Sequence, residues 1–379
     1  MRGRGPLETA SSIPDDLCSV EAASERVTMA GSGAPPATRA TAPHDGHGPW
    51  RPVASWPELT PGGVRRTSRL DILRPDGLSG DLVLHGIAMD ERGTGDAGRE
   101  LLDRAQLDAV ISLADAPMLS RLVTAPARPA LDRLIGGSAS SGVRRAVAME
   151  VPGDVVDATL LALLLDDLPV AVVISGYAIV AEPIERRPPS NGGKPHVDLC
   201  SGWRAGGTMM TTLTAAGALP VLVGPAAPAL PGSSVPGTDE GPPLPVHGMR
   251  RWRRMDVMAE ADRLLVDAWF RDSHITTDGE EKVVHEYELQ AEVRRGDLTV
   301  LALSAEPRVL PWQECPAAAS SAARLVGQPV HVLRQHVRKA FVGTTTCTHL
   351  NDMLRSLGDI VALDRAIQKA PADGGPAET

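Results

Sequence analysis

Apolar and polar residues alternate with a period of two along residues 283–293, which predicts a long strand with one buried face. His285, Tyr287 and Leu289 share the apolar face, and Glu286 and Glu288 lie opposite. Residues 264–270 and 298–305 predict flanking strands, the second joined through a short turn. After Pro316 the apolar spacing becomes helical, and it predicts helices over 316–327, 330–342 and 348–368. Antiparallel strands followed by helices indicate an α+β fold.

The same order occurs twice along the chain, which predicts a tandem duplication of an antiparallel-sheet-plus-helices unit. Each copy opens with an arginine cluster followed by an aspartate, and Asp256 stands 185 positions after Asp71. Further along each copy, Asp272 stands 182 positions after Asp90. Such a small drift in spacing is what loop insertions produce.

Composition divides the chain into five predicted segments. Residues 1–60, rich in Ala, Pro, Gly, Ser and Thr, are expected to be disordered, and residue 18 is a cysteine within them. Residues 61–181 form the first, degenerate copy, and 182–248 form a Pro- and Gly-rich linker. Residues 249–368 form the second copy, which carries the candidate site, and 369–379 form a frayed tail.

Charge and cysteine usage narrow the function classes. The 379 residues carry a formal net charge of -9, which argues against a nucleic-acid partner. The four cysteines form no CxxC pair and are expected to be reduced thiols in a cytoplasmic protein. No signal peptide is expected at the start. In the apolar stretch 155–180, Asp166, Asp167 and Pro169 favour a buried helix followed by a buried strand over a membrane span. The oligomeric state stays open.

Candidate chemistry concentrates in the second copy. Cys315 and Cys347 each precede or begin a predicted helix, whose positive end is expected to lower the pKa of a thiol. His285 lies on the apolar strand face, and a loop after the preceding strand offers Asp272 and His274. These five residues are the predicted ligands of a zinc or iron ion.

A second hypothesis needs no metal. On the last predicted helix Cys347 would be a nucleophile, His349 its base and Asp352, three residues on, the group that orients the imidazole. The substrate would be a small acidic or acyl molecule held by arginines. A third hypothesis is a non-catalytic binding module. At the positions equivalent to Cys347, His349 and Asp352 the first copy has apolar residues. These three polar groups are therefore expected to be dispensable for folding.

Several runs resemble the bacterial domain of unknown function 2889 family, a likeness that implies no activity. They are Asp272-Ser273-His274, Val284-His285-Glu286-Tyr287, Leu310-Pro311-Trp312-Gln313-Glu314-Cys315-Pro316 and Cys347-Thr348-His349-Leu350-Asn351-Asp352. The placement of Cys315 and Cys347 is also similar to that in the U-type scaffolds of iron–sulfur cluster assembly. In those proteins a third Cys and an Asp complete a zinc or cluster site. This chain has Asp272, His274 and His285 at that place and no third Cys, so the resemblance implies a mixed Cys/His/Asp site.

Overall fold

The computed structural model describes residues 45–95, 98–188, 197–230 and 243–369. Eight antiparallel strands form one sheet in the order β4-β3-β2-β1-β5-β6-β7-β8. The strands are β1 Val64–Leu73, β2 Leu82–Gly93, β3 Arg99–Ser112, β4 Met118–Ala125, β5 Met249–Glu260, β6 Arg263–Ile275, β7 Glu281–Arg294 and β8 Val300–Val309. The predicted α+β class is confirmed.

Helices cover one face of the sheet and bury its apolar side chains. The α-helices are α1 Val143–Glu150, α2 Pro152–Val156, α3 Leu160–Asp166, α4 Leu168–Val180, α5 Thr208–Ala216, α6 Leu333–Ala340, α7 Thr348–Ser356 and α8 Ile360–Gln368. Short 3₁₀ helices include Pro129–Leu134, Ser201–Trp203 and Cys315–Leu325. On β7, Tyr287, Leu289 and Val293 are buried as the alternation predicted.

The two halves meet between β1 and β5, whose side chains bind each other reciprocally. Arg65 of β1 lies 2.6 Å from Asp256, and Arg250 of β5 lies 2.6 Å from Asp71. Each half continues as a four-stranded meander followed by helices. This reciprocity supports the predicted duplication, because the spacing of 185 residues maps one ion pair onto the other.

Three local predictions are wrong. Asp272 and His274 were expected on a loop after a strand, but both lie within β6. The arginine cluster 250–254, which lies ahead of the first strand predicted in that half, is itself part of a strand, β5. It is largely buried because its arginines bind buried carboxylates such as Asp71 and Asp272. The strand expected near residue 170 is α4, with Pro169 in its first turn, where a missing N–H costs nothing.

The apolar stretch 155–180 contains α3 and α4. Within the described residues no single helix has the length and apolar character needed to cross a membrane. In this part of the chain, α3 and α4 taken together are long and apolar enough for a span, but a bend of 46° separates the two helices.

Segments expected to be irregular contribute to the packing. Residues 1–44, with Cys18, and residues 370–379 lie outside the described part of the chain. Residues 45–60, however, were expected to be disordered and instead pack against the sheet. The Val53 amide donates to Glu286 (2.9 Å), and Trp56 packs edge-on against Trp269. In the predicted linker Cys200 is buried and Met209 packs in the core.

Candidate metal centre

Two adjacent strands and one helix bring three potential ligands together. Asp272 of β6 and His285 of β7 are directly paired in the sheet, and His285 Nδ1 lies 3.7 Å from Asp272 Oδ2. Helix α7 places the ring of His349 on that of His285, with centroids 3.7 Å apart and planes 18° from parallel. One ligand atom from each residue lies within 4.8 Å of the other two, and all three residues are buried.

Among the residues that the structure describes, each of the two imidazoles has one ring nitrogen without a hydrogen-bond partner. These atoms are His285 Nδ1 and His349 Nε2, both buried. His285 Nε2 lies 3.3 Å from the Tyr177 hydroxyl, and His349 Nδ1 lies 3.4 Å from Thr348 Oγ1 and 3.9 Å from Cys347 Sγ. If the contacted nitrogens carry the ring protons, the unpartnered ones present lone pairs toward the Asp272 carboxylate.

Burial keeps both imidazoles neutral at neutral pH. Burial lowers the pKa of His349 to about 4, against the opposing field of Asp272. The pKa of His285 falls well below its ordinary value because of burial first, and His349 and Arg251 lower it further. Neutral imidazole is the form that binds a metal ion.

Arg251 anchors the carboxylate of the group. Its Nε and Nη2 atoms donate to the two oxygens of Asp272 at 2.7 and 3.1 Å. Burial alone would lower the pKa of Arg251, but Asp272 and then Asp167 raise it above its ordinary value. Asp272 is therefore fixed in place by Arg251, whose Nη1 atom faces Asp167 and Asp352, each at 3.6 Å.

The thiols occupy the predicted positions but have the opposite pKa shift. Cys347 is the N-cap residue of α7, and Cys315 begins a 3₁₀ helix. Burial raises the pKa of Cys347 to about 12 and that of Cys315 well above its ordinary value. The predicted lowering of the thiol pKa is therefore wrong. Loss of solvent on burial raises the pKa more than the N-terminal end of the helix lowers it. Among the described residues, the group that could hold a metal includes neither sulfur.

Two further candidates lie apart from the group. Asp352 accepts a hydrogen bond from Arg144 (3.0 Å), so the arginines hold it and the expected bond to His349 does not form. His274 lies beyond a register shift between Asp272 and Ser273, next to Lys282 on the neighbouring strand. Burial lowers the pKa of His274 to about 4, and Lys282 and His247 add to this shift.

A cavity of about 640 Å³ lies beside two of the three residues, His285 and His349. His285, His349, Cys315 and Cys347 line it together with Tyr177 and Cys200, which the sequence did not single out. Neither residue was assigned a role in a site from the sequence, because α4 and the linker bring them in from outside the second half. Arg251 lies in the arginine cluster that opens the second half, but its pairing with Asp272 depends on the contact between β5 and β6.

The first half has the same frame without the imidazoles. Arg66 donates to both oxygens of Asp90 at 2.8 Å, as Arg251 does to Asp272. The residue paired with Asp90 is Asp103, where the second half has His285. Helix α3 begins with Leu160, an apolar residue, near the position that His349 takes on α7.

Comparison with known proteins gives one match. Neither the curated proteins nor the solved structures contain a match to this chain. The family model described as Protein of unknown function (DUF2889) matches residues 249–363, a range that contains Asp272, His285 and His349. The second half is therefore similar to the DUF2889 family.

Proposed function

We propose that the protein binds one zinc or iron ion through Asp272, His285 and His349. The observation that carries this proposal is the pair of buried, unpartnered nitrogens, His285 Nδ1 and His349 Nε2, beside a fixed carboxylate. Buried polar atoms are normally hydrogen-bonded, and leaving one unsatisfied costs about 1–3 kcal/mol. A bound cation would satisfy both nitrogens at once.

The donor set favours a transition metal over calcium or magnesium. Imidazole suits zinc and iron, whereas calcium and magnesium take oxygen ligands. Two histidines and one carboxylate leave coordination positions open for water or a substrate, as in catalytic zinc and non-haem iron sites. The adjoining cavity would give a small molecule access to those positions. We therefore propose a metal centre that acts on, or binds, a small molecule.

A metal-free enzyme is the alternative that one contact favours. Cys347 Sγ lies 3.9 Å from His349 Nδ1, close enough for a nucleophile and its base to meet during a reaction. A thiol whose pKa is about 12 beside an imidazole whose pKa is about 4 remains neutral at pH 7, however, and thiolate is the reactive form. The metal proposal accounts for His285 and Asp272 as well, and we prefer it.

Metal analysis of the purified protein tests the proposal. Protein prepared without a metal-affinity tag and dialysed against zinc should retain about one equivalent, since one centre is proposed. His349→Ala should reduce retention at least tenfold, because it removes one of three protein ligands. His274→Ala is the matched control, a buried histidine outside the group, and should retain the ion. Equal loss in both variants, or no retention by the unaltered protein, would contradict the proposal.

A further inference from the structure

We infer that the cavity beside the metal centre binds a small carboxylate with an apolar body. The inference rests on the proposed function only for the role of the metal; the cavity and its charges are independent of it. At about 640 Å³ the cavity has the size of a pocket for a single small ligand.

The wall of the cavity is mostly apolar and comes from both halves of the chain. Val170 and Tyr177 lie on α4, Leu222 comes from the linker region, and Trp312 and Phe341 come from the second half. At the mouth, Val173 and Leu199 expose 60% and 46% of their surface. An apolar lining that continues to an apolar mouth suits a hydrocarbon or aromatic body.

The charged residues of the lining indicate where the anionic end of the ligand binds. Four charged residues line the cavity, and three of them are cations: Arg144, Arg338 and Arg355, with Asp352 as the anion. Asp166 lies behind this lining and binds Arg144 and Arg355 at 3.1 and 2.5 Å, which leaves a net positive charge at the wall.

Two donors remain open for an anion. Within the described residues Arg338 has no ion-pair partner, and it is exposed at the cavity. Arg355 Nε is buried and has no hydrogen-bond partner. Arg338 can bind a carboxylate through paired N–H donors, and Arg355 Nε can add a single hydrogen bond, so these two arginines would hold the anionic end of the ligand.

Calorimetric titration with three ten-carbon probes tests this inference. Decanoate, below its micelle-forming concentration, should bind, whereas decanol and decyltrimethylammonium should bind at least about fivefold more weakly. Arg338→Glu should weaken decanoate binding by about fivefold and leave decanol binding unchanged. Lys339→Glu is the matched control, an exposed cation on the same helix outside the lining, and should bind decanoate normally.

The outcomes separate this inference from the proposed metal centre. Protein that holds the metal but binds all three probes equally, or none, would overturn the inference and leave the metal proposal standing. Protein that holds no metal yet prefers decanoate, with the loss confined to Arg338→Glu, would support the inference and remove the metal proposal. Equal weakening in Arg338→Glu and Lys339→Glu would show general surface attraction and would also overturn the inference.

Discussion

At the scale of single residues, burial decides what each titratable group can do. The sequence correctly placed Cys347 at a helix start and His285 on the buried strand face, because both follow from local spacing. It could not give the direction of the thiol pKa, which depends on solvent loss from packing elements that are distant in sequence. It also could not show that the arginines would draw Asp352 away from His349.

Thiol chemistry gives a test at this scale. Because burial raises the pKa of Cys347 to about 12, only a very small fraction is thiolate at pH 7.5. Iodoacetamide should therefore label Cys347 in the folded protein at least tenfold more slowly than in the urea-unfolded protein, with peptide mass spectrometry as the measurement. Labelling faster in the folded state would instead support the nucleophile hypothesis.

The pKa of His274, a buried histidine outside the metal group, predicts how the stability of the fold depends on pH. His274 has its pKa lowered from 6.5 to about 4, so the unfolded chain takes up its proton first as pH falls. Its contribution to stability is complete above about pH 6.5 and is lost as pH falls toward 4, by about 3 kcal/mol.

As pH falls across that window, the free energy of unfolding of His274→Gln should decrease by about 3 kcal/mol less than that of the unaltered protein. Urea unfolding at several pH values measures this change. His331→Gln, at an exposed histidine, is the control and should leave the slope unchanged. A His274→Gln slope equal to that of the unaltered protein would contradict the account of His274.

At the scale of elements, paired strands carry a repeated arginine and carboxylate frame. Arg66 with Asp90 joins β1 to β2, and Arg251 with Asp272 joins β5 to β6. The aligned spacing of these residues was visible in the sequence. That the arginine cluster lies within β5 was not visible, because a strand so rich in charge becomes stable only when its guanidinium groups bind carboxylates brought together by the fold.

The duplicated frame provides a matched pair of variants. Asp90→Asn and Asp272→Asn should each destabilise the fold by about 3–5 kcal/mol, since each removes the charged carboxylate that is hydrogen-bonded to a buried arginine. Only Asp272→Asn should also lose the metal, because the first half lacks the imidazoles. Thermal unfolding and metal content measured on the same samples test both points. Metal loss in Asp90→Asn at temperatures where it is folded would contradict the assignment.

At the scale of the whole molecule, the two halves depend on each other. The β1–β5 ladder runs through the middle of the sheet, and Tyr177 of the first half contacts His285 of the second. The sequence indicated two similar units but not that they would share one sheet, because long-range strand pairing leaves no local pattern. The site in the second half is therefore completed by a residue of the first half.

Expressing the halves separately tests this dependence. Residues 243–369 alone would expose the β5 edge and lose the carboxylate partner of Arg250, so we expect no cooperative thermal transition. Mixing them with residues 45–230 should restore the transition. A second half that unfolds cooperatively and holds metal by itself would contradict this account.

X-ray absorption at the zinc edge of protein loaded with one equivalent of zinc tests the central claim most directly. Ligation by Asp272, His285 and His349 predicts only nitrogen and oxygen neighbours at about 2.0–2.2 Å, with imidazole scattering beyond them. A sulfur neighbour at about 2.3 Å would place Cys315 or Cys347 on the metal and contradict the ligand set.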